Sequence, residues 1–125
     1  MSEKILVVDN KPDDLKTMKS ILAKEGFKTI EATNGAEALD RLKDDGFSLI
    51  MLDIKMPTLS GYDTLRLMKE RVDDMVPFVF VSIVPKQEAD LSGVSGFIQK
   101  PFSTTEFSKT VKSVIRSFKA PRKKK

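Results

Sequence analysis

Five short apolar runs alternate along the chain with stretches in which apolar residues recur every third or fourth position. Lys4 to Val8, Lys28 to Ala32, Phe47 to Leu52, Pro77 to Ser82 and Gly96 to Lys100 read as strands. A helix is expected from Pro12, a residue suited to the first helical position, with Leu15, Met18, Ile21 and Leu22 on its apolar face and Gly26 as its stop. Asn34-Gly35 opens a second helix carrying Ala38, Leu39 and Leu42 and closing at Gly46. Beyond Pro57 and Gly61, Tyr62, Leu65 and Met68 mark a third. Phe107, Val111, Val114, Ile115 and Phe118 draw the stripe of the last. Between Ser82 and Lys100, Pro85, Gly93 and Gly96 leave room for a helix only from Lys86 to Leu91.

Strands that are apolar on both sides and alternate with helices imply a parallel sheet covered on both faces. The expected fold is α/β and flavodoxin-like: a doubly wound five-stranded sheet of order 2-1-3-4-5, with helices on both faces. In such a sheet the C-terminal strand ends share one crevice, where ligand chemistry gathers. The residues expected there are Asp9 and Asn10 after the first strand, Asp53 after the third, Ser82 at the end of the fourth and Lys100 after the fifth. The acids can hold Mg²⁺, the hydroxyl can donate to a phosphoryl oxygen, and the ammonium can neutralise phosphate charge. Together they form a phosphoryl-transfer set.

Composition narrows the chemistry further. With no cysteine and no histidine in 125 residues, disulfides, thiol or imidazole nucleophiles and zinc sites built from those ligands are excluded. The length suits one domain, taken as residues 1–118, followed by a basic tail at 119–125 that is expected to be disordered. The net charge of +4 belongs to that tail. Setting aside Lys119, Arg122, Lys123, Lys124 and Lys125 leaves 17 basic residues against 18 acidic, a balance of −1. No signal peptide and no membrane-spanning run is read, so a cytoplasmic location without membrane insertion is expected. The tail reads as a solvated end, and no nucleic-acid motif accompanies it. Asp13 and Asp14 read as charges that complement the first helix N-terminus rather than as metal ligands.

The motifs ILVVDN, MLDIKMP followed by SGYD, FVFVS and GFIQKPF occur in this order from Lys4 onward. In order and spacing they resemble the response-regulator receiver domains of two-component signalling, over the chain from Lys4 to Phe118. The resemblance implies a switch that takes a phosphoryl group from a histidine kinase or phosphotransfer protein onto Asp53 and then regulates a downstream protein partner. It is not a metabolic enzyme, although weak self-dephosphorylation is implied. It assigns Asp9, Asn10, Asp53 and the backbone carbonyl of Lys55 to a Mg²⁺ site, Lys100 to pairing with the acceptor and its phosphate, Ser82 to the switch hydroxyl and Phe97 to the aromatic switch position. Phe97 reads equally well as core.

Three features depart from the family pattern. Asn10 stands where a second acid is usual, removing one charge from the metal pocket, so Mg²⁺ is expected to bind weakly. Ile83 follows Ser82 where a small residue is preferred, and Lys55 is placed to overhang the same mouth. The interval from Ser82 to Lys100 is about one helical turn short. The alternative reading is a pseudo-receiver, a protein-interaction module that keeps the fold and works without phosphate.

Overall fold

In the computed structural model, which describes residues 3–44, 46–72 and 76–119, the apolar runs form β1 (Lys4–Val8), β2 (Lys28–Ala32), β3 (Phe47–Leu52), β4 (Phe78–Ser82) and β5 (Gly96–Gln99). They build one parallel sheet in the order β2-β1-β3-β4-β5, as the alternation of elements predicts. Four helices connect and cover it: α1 (Pro12–Lys24), α2 (Gly35–Arg41), α3 (Gly61–Lys69) and α4 (Thr104–Lys119). Of the basic tail expected at 119–125, Lys119 is the last residue of α4, and residues 120–125 lie outside the described residues. Among those described, no helix is long and apolar enough to cross a membrane.

Alternation along each strand divides the core in two. Ile5, Val7, Leu49, Met51, Val79 and Val81 face α1 and α4, whose Met18, Leu22, Phe107 and Val111 are buried against them. Leu6, Val8, Ile50, Leu52, Phe78 and Phe80 face α2 and α3, meeting Ala38, Leu65 and Met68. A strand buried on both faces cannot shift by one residue without exchanging its two apolar sets, so both layers fix the register. That register decides which residues stand together at the strand ends.

Local chemistry sets the helix limits. Asn34 caps α2 by accepting the Glu37 N–H at 2.8 Å, and Ser60 caps α3 by accepting the Asp63 N–H at 3.1 Å. Helix α2 ends at Arg41, earlier than the stop expected at Gly46. Its chain tightens into bonds from Leu42, Lys43 and Asp44 N–H back to the third residue before each.

The helix expected from Lys86 to Leu91 is replaced by one 3-10 turn, Lys86–Glu88. The reason is visible in the hydrogen bonds. Continuing as an α-helix would send the Asp90 N–H to the Lys86 carbonyl, but that N–H is donated to the Tyr62 hydroxyl at 3.1 Å. Ala89 is already extended, with ψ of 145°, and the Asp90 carboxylate turns to accept the Ser92 N–H at 3.0 Å. Val84, Ala89, Leu91 and Val94 nevertheless pack on the α2–α3 side of the sheet.

Candidate functional site

Each strand-end residue is tied to the neighbouring strand, and the ties bring the polar groups to one edge. The Asp9 N–H donates to the Ala32 carbonyl at 3.1 Å, the Asp53 N–H to Val8 at 3.0 Å, and the Lys100 N–H to Ser82 at 2.8 Å. Asp9, Asp53, Ser82 and Lys100 are all buried, and Asp53 is only 3% exposed. Gly61 lets the loop after β3 fold back onto this edge. A Cβ at that position would stand 2.3 Å from the Asp53 carbonyl oxygen, so only glycine fits.

Lys100 lies at the centre. Its ammonium is 2.7 Å from Asp9 Oδ2, 2.7 Å from Asp14 Oδ2 and 3.4 Å from Asp53 Oδ2. Burial opposes the lysine charge, but the hydrogen bonds to Asp14 and Asp9 and the field of Asp9 and Asp53 outweigh it and hold the ammonium above the ordinary lysine pKa. Burial also lifts the Asp9 carboxyl above its ordinary value, against the bonds it accepts from Lys100 and the Lys11 N–H. One ammonium thus serves three carboxylates, and the lysine charge is the fixed point of the cluster.

Asp53 is loosely held by comparison. Besides the 3.4 Å contact to Lys100, its Oδ1 meets the Lys55 N–H, also at 3.4 Å. Both lie beyond the usual range of a charge-assisted bond, leaving the carboxylate oxygens available as nucleophiles or ligands. The Lys55 and Ile83 side chains are exposed, Ile83 by 52%. Ser82 accepts the Val84 N–H at 3.2 Å, which leaves its own proton free to be donated. Phe97, paired in register with Phe80, is half-buried against the α2–α3 layer, so it is in part a core residue.

Among the described residues no group of three carboxylates is arranged to hold a metal. The donors nevertheless suit Mg²⁺, which takes oxygen ligands and keeps several waters. Asn10 Oδ1 is buried with no hydrogen-bond partner, an acceptor in need of a cation or donor.

Sequence reasoning missed two members of this region. Asp14, read as a helix-start charge, is bound to Lys100. The signal was its position four, seven and eight residues before Met18, Ile21 and Leu22, on the inward stripe of α1, whereas Asp13 is exposed. Tyr62, read as packing, does stack edge-on against Phe80 with ring centroids 5.5 Å apart, but it also holds Asp90.

The open parallel sheet and the buried acid-and-lysine cluster at its C-terminal edge define a phosphoryl-handling α/β domain. The model of the response regulator receiver domain matches residues 5–112, and the chain belongs to that family, the receiver domains of two-component signalling. These domains are signalling switches that work with histidine kinases or phosphotransfer proteins and with downstream effectors. Sporulation initiation phosphotransferase F of Bacillus subtilis is 30% identical over 118 residues, covering 92% of this chain and 95% of that protein. The probable transcriptional regulator ycf27 of Porphyra purpurea is 31% identical over 118 residues, or 91% of this chain, but the match takes in only 48% of its length. The chain therefore spans about half of some curated relatives and nearly all of others. The response regulator TrrA of Thermotoga maritima, solved in complex with Mg²⁺ and beryllofluoride, superposes with a TM-score of 0.81 at 25% identity, covering 90% of this chain and 98% of that one.

Proposed function

We propose that Asp53 accepts a phosphoryl group from a histidine kinase or phosphotransfer protein, and that Ser82, Phe97 and Lys100 convert this into a conformational change read by a downstream protein. The observation that carries the proposal is the state of Asp53: a buried strand-end carboxylate with only long contacts, beside a fixed ammonium. In the transfer, an Asp53 oxygen bonds phosphorus as the P–N bond to the donor imidazole breaks, and the bonding pair leaves with the imidazole. Charge spreads over three equatorial oxygens in the transition state, where Lys100 and the Ser82 hydroxyl stabilise it.

Mg²⁺ would be held by Asp9, Asn10, Asp53 and the Lys55 backbone carbonyl, and it supplies further neutralisation of phosphoryl charge. With an amide at position 10 this binding is weak. After transfer, the Ser82 hydroxyl donates to a phosphoryl oxygen, drawing in the chain that follows β4 and altering the space beside Phe97. Exposed Ile83 and Lys55 flank the mouth and slow self-dephosphorylation by crowding the path of water.

Incubation with Mg²⁺ and acetyl phosphate should add one phosphoryl group, detected by intact-protein mass, and Asp53→Asn should abolish it. A wild-type protein that gains no phosphoryl group and binds no beryllofluoride would leave the phosphate-independent module as the better reading.

A further inference from the structure

The two tightest bonds of Lys100 go to carboxylates that accept no phosphoryl group. At 2.7 Å, Asp9 and Asp14 lie within the range of charge-assisted hydrogen bonds, whereas Asp53 at 3.4 Å does not. An ammonium has three protons, so it can serve three acceptors, and here two are well served and one poorly. With an amide at position 10, the third carboxylate around this lysine comes from helix α1. Asp9 and Asp14 are braced by the same turn: the second oxygen of Asp9 accepts the Lys11 N–H at 2.9 Å, and Pro12 then starts the helix that carries Asp14 inward.

We infer that Asp14 is a latch, a positioning residue that holds the Lys100 ammonium against Asp9 and away from Asp53 until Asp53 is phosphorylated. This rests on Asp53 being the acceptor. A phosphoryl group brings new negative charge and three acceptor oxygens next to Lys100, and drawing the ammonium toward them lengthens one of its two short bonds. Exposure decides which bond gives. Asp9 is 0% exposed at its side chain and would be stranded without solvent, whereas the Asp14 side chain is 33% exposed and can be taken up by water. Among the described residues Lys100 is the only hydrogen-bond or ion-pair partner of the Asp14 side chain. Its release therefore disturbs nothing else. Asp14 opposes the phosphorylated geometry by the strength of one partly exposed ion pair.

The test uses the full chain with ¹⁵N-labelled lysine, as wild type, Asp14→Asn and Asp13→Asn. Asp14→Asn should bind beryllofluoride at saturating Mg²⁺ about threefold more tightly than wild type, the effect of removing one ion pair of this kind. Asp13→Asn, which removes an equal charge from the exposed neighbour, should match wild type. Equal or weaker binding by Asp14→Asn, or equal tightening by Asp13→Asn, would overturn the latch. In the free proteins the Lys100 Nζ resonance should move in Asp14→Asn alone, and an unmoved resonance would also overturn it. Failure of the wild type to bind beryllofluoride would count against Asp53 as acceptor, and the Nζ comparison in the free proteins would still decide whether Asp14 holds the lysine.

Discussion

The acid pocket and the segment joining β4 to β5 leave the same sheet edge, yet they are held in opposite ways. The pocket is tied across the sequence: Lys100 bonds carboxylates 91, 86 and 47 positions away. The segment is folded by short-range neutral bonds, from the Glu88 N–H to Pro85, the Ala89 N–H to Lys86, the Ser92 N–H to Asp90 and the Val94 N–H to Leu91, and carries no ion pair to the body among the described residues. Its links to the body are the Tyr62–Asp90 bond, the Gln99 side-chain amide donating to the Ile83 carbonyl at 3.1 Å, the Ser95 N–H donating to Phe78 at 2.7 Å, and the packing of Val84, Ala89, Leu91 and Val94. Chemistry that depends on charges in fixed positions is over-determined, and the part proposed to move is cheap to move. The Ser82 hydroxyl joins the two regions, since it ends β4 and accepts the first N–H bond of the segment from Val84.

The most severe way to break this contrast is at Lys100. Lys100→Met keeps the length and apolar stem of the side chain but leaves Asp9 and Asp53 buried without a counter-charge. Destabilisation of about 3 kcal/mol is expected from stranding buried charge. Urea unfolding measures it directly, and a midpoint equal to that of wild type would mean that the cluster contributes nothing to the fold. Mg²⁺ should recover more stability in this variant than in wild type, because the cation competes with no ammonium.

How much was legible in advance follows the same division. Strands were readable because each is a short apolar run closed by a polar residue or a turn former, and Asp9, Asp53, Ser82 and Lys100 were readable because they are what closes them. Topology then brought them together without further information. Asp14 escaped because a charge in the first turn of a helix already has a sufficient local explanation. The segment after Ser82 escaped for another reason. Pro85, Gly93 and Gly96 correctly limited its length, but whether six residues become a helix or one 3-10 turn depends on where a single N–H goes. The partner that captures it, Tyr62, lies 28 positions earlier.

Tyr62→Phe sharpens the comparison from the other side. The ring and its edge-on contact with Phe80 remain, and only the hydroxyl that accepts the Asp90 N–H is lost. Global stability should fall by about 1 kcal/mol or less, the net worth of one hydrogen bond. Amide exchange at Asp90 should accelerate, while Lys100 and Asp53 report no change. Accelerated exchange at Asp9 or Asp53 would mean that pocket and segment are not separable.

The smallest effect is expected in neither region, at the pair that ties α1 to α4 on the opposite layer. Lys112 Nζ lies 2.5 Å from Glu25 Oε1, and this hydrogen bond is the main reason the Glu25 carboxyl lies below its ordinary value of 4.5. A depressed carboxylate pKa contributes stability that is present above the unfolded value and is lost as pH falls through the folded one. Lys112→Ala should therefore return the Glu25 pKa toward 4.5 in a carboxyl NMR titration, and any stability difference from wild type should vanish at more acid pH. Glu25 is at the surface, where water and salt screen the pair, so the loss at neutral pH should be hard to detect. The same ammonium-to-carboxylate contact thus does little on the rim of α1 and α4 and much beside Asp9. What separates them is burial and the number of acceptors that depend on one lysine. A large loss of stability in Lys112→Ala would show that these contacts act alike wherever they lie, and the special standing of the Lys100 cluster would go with it.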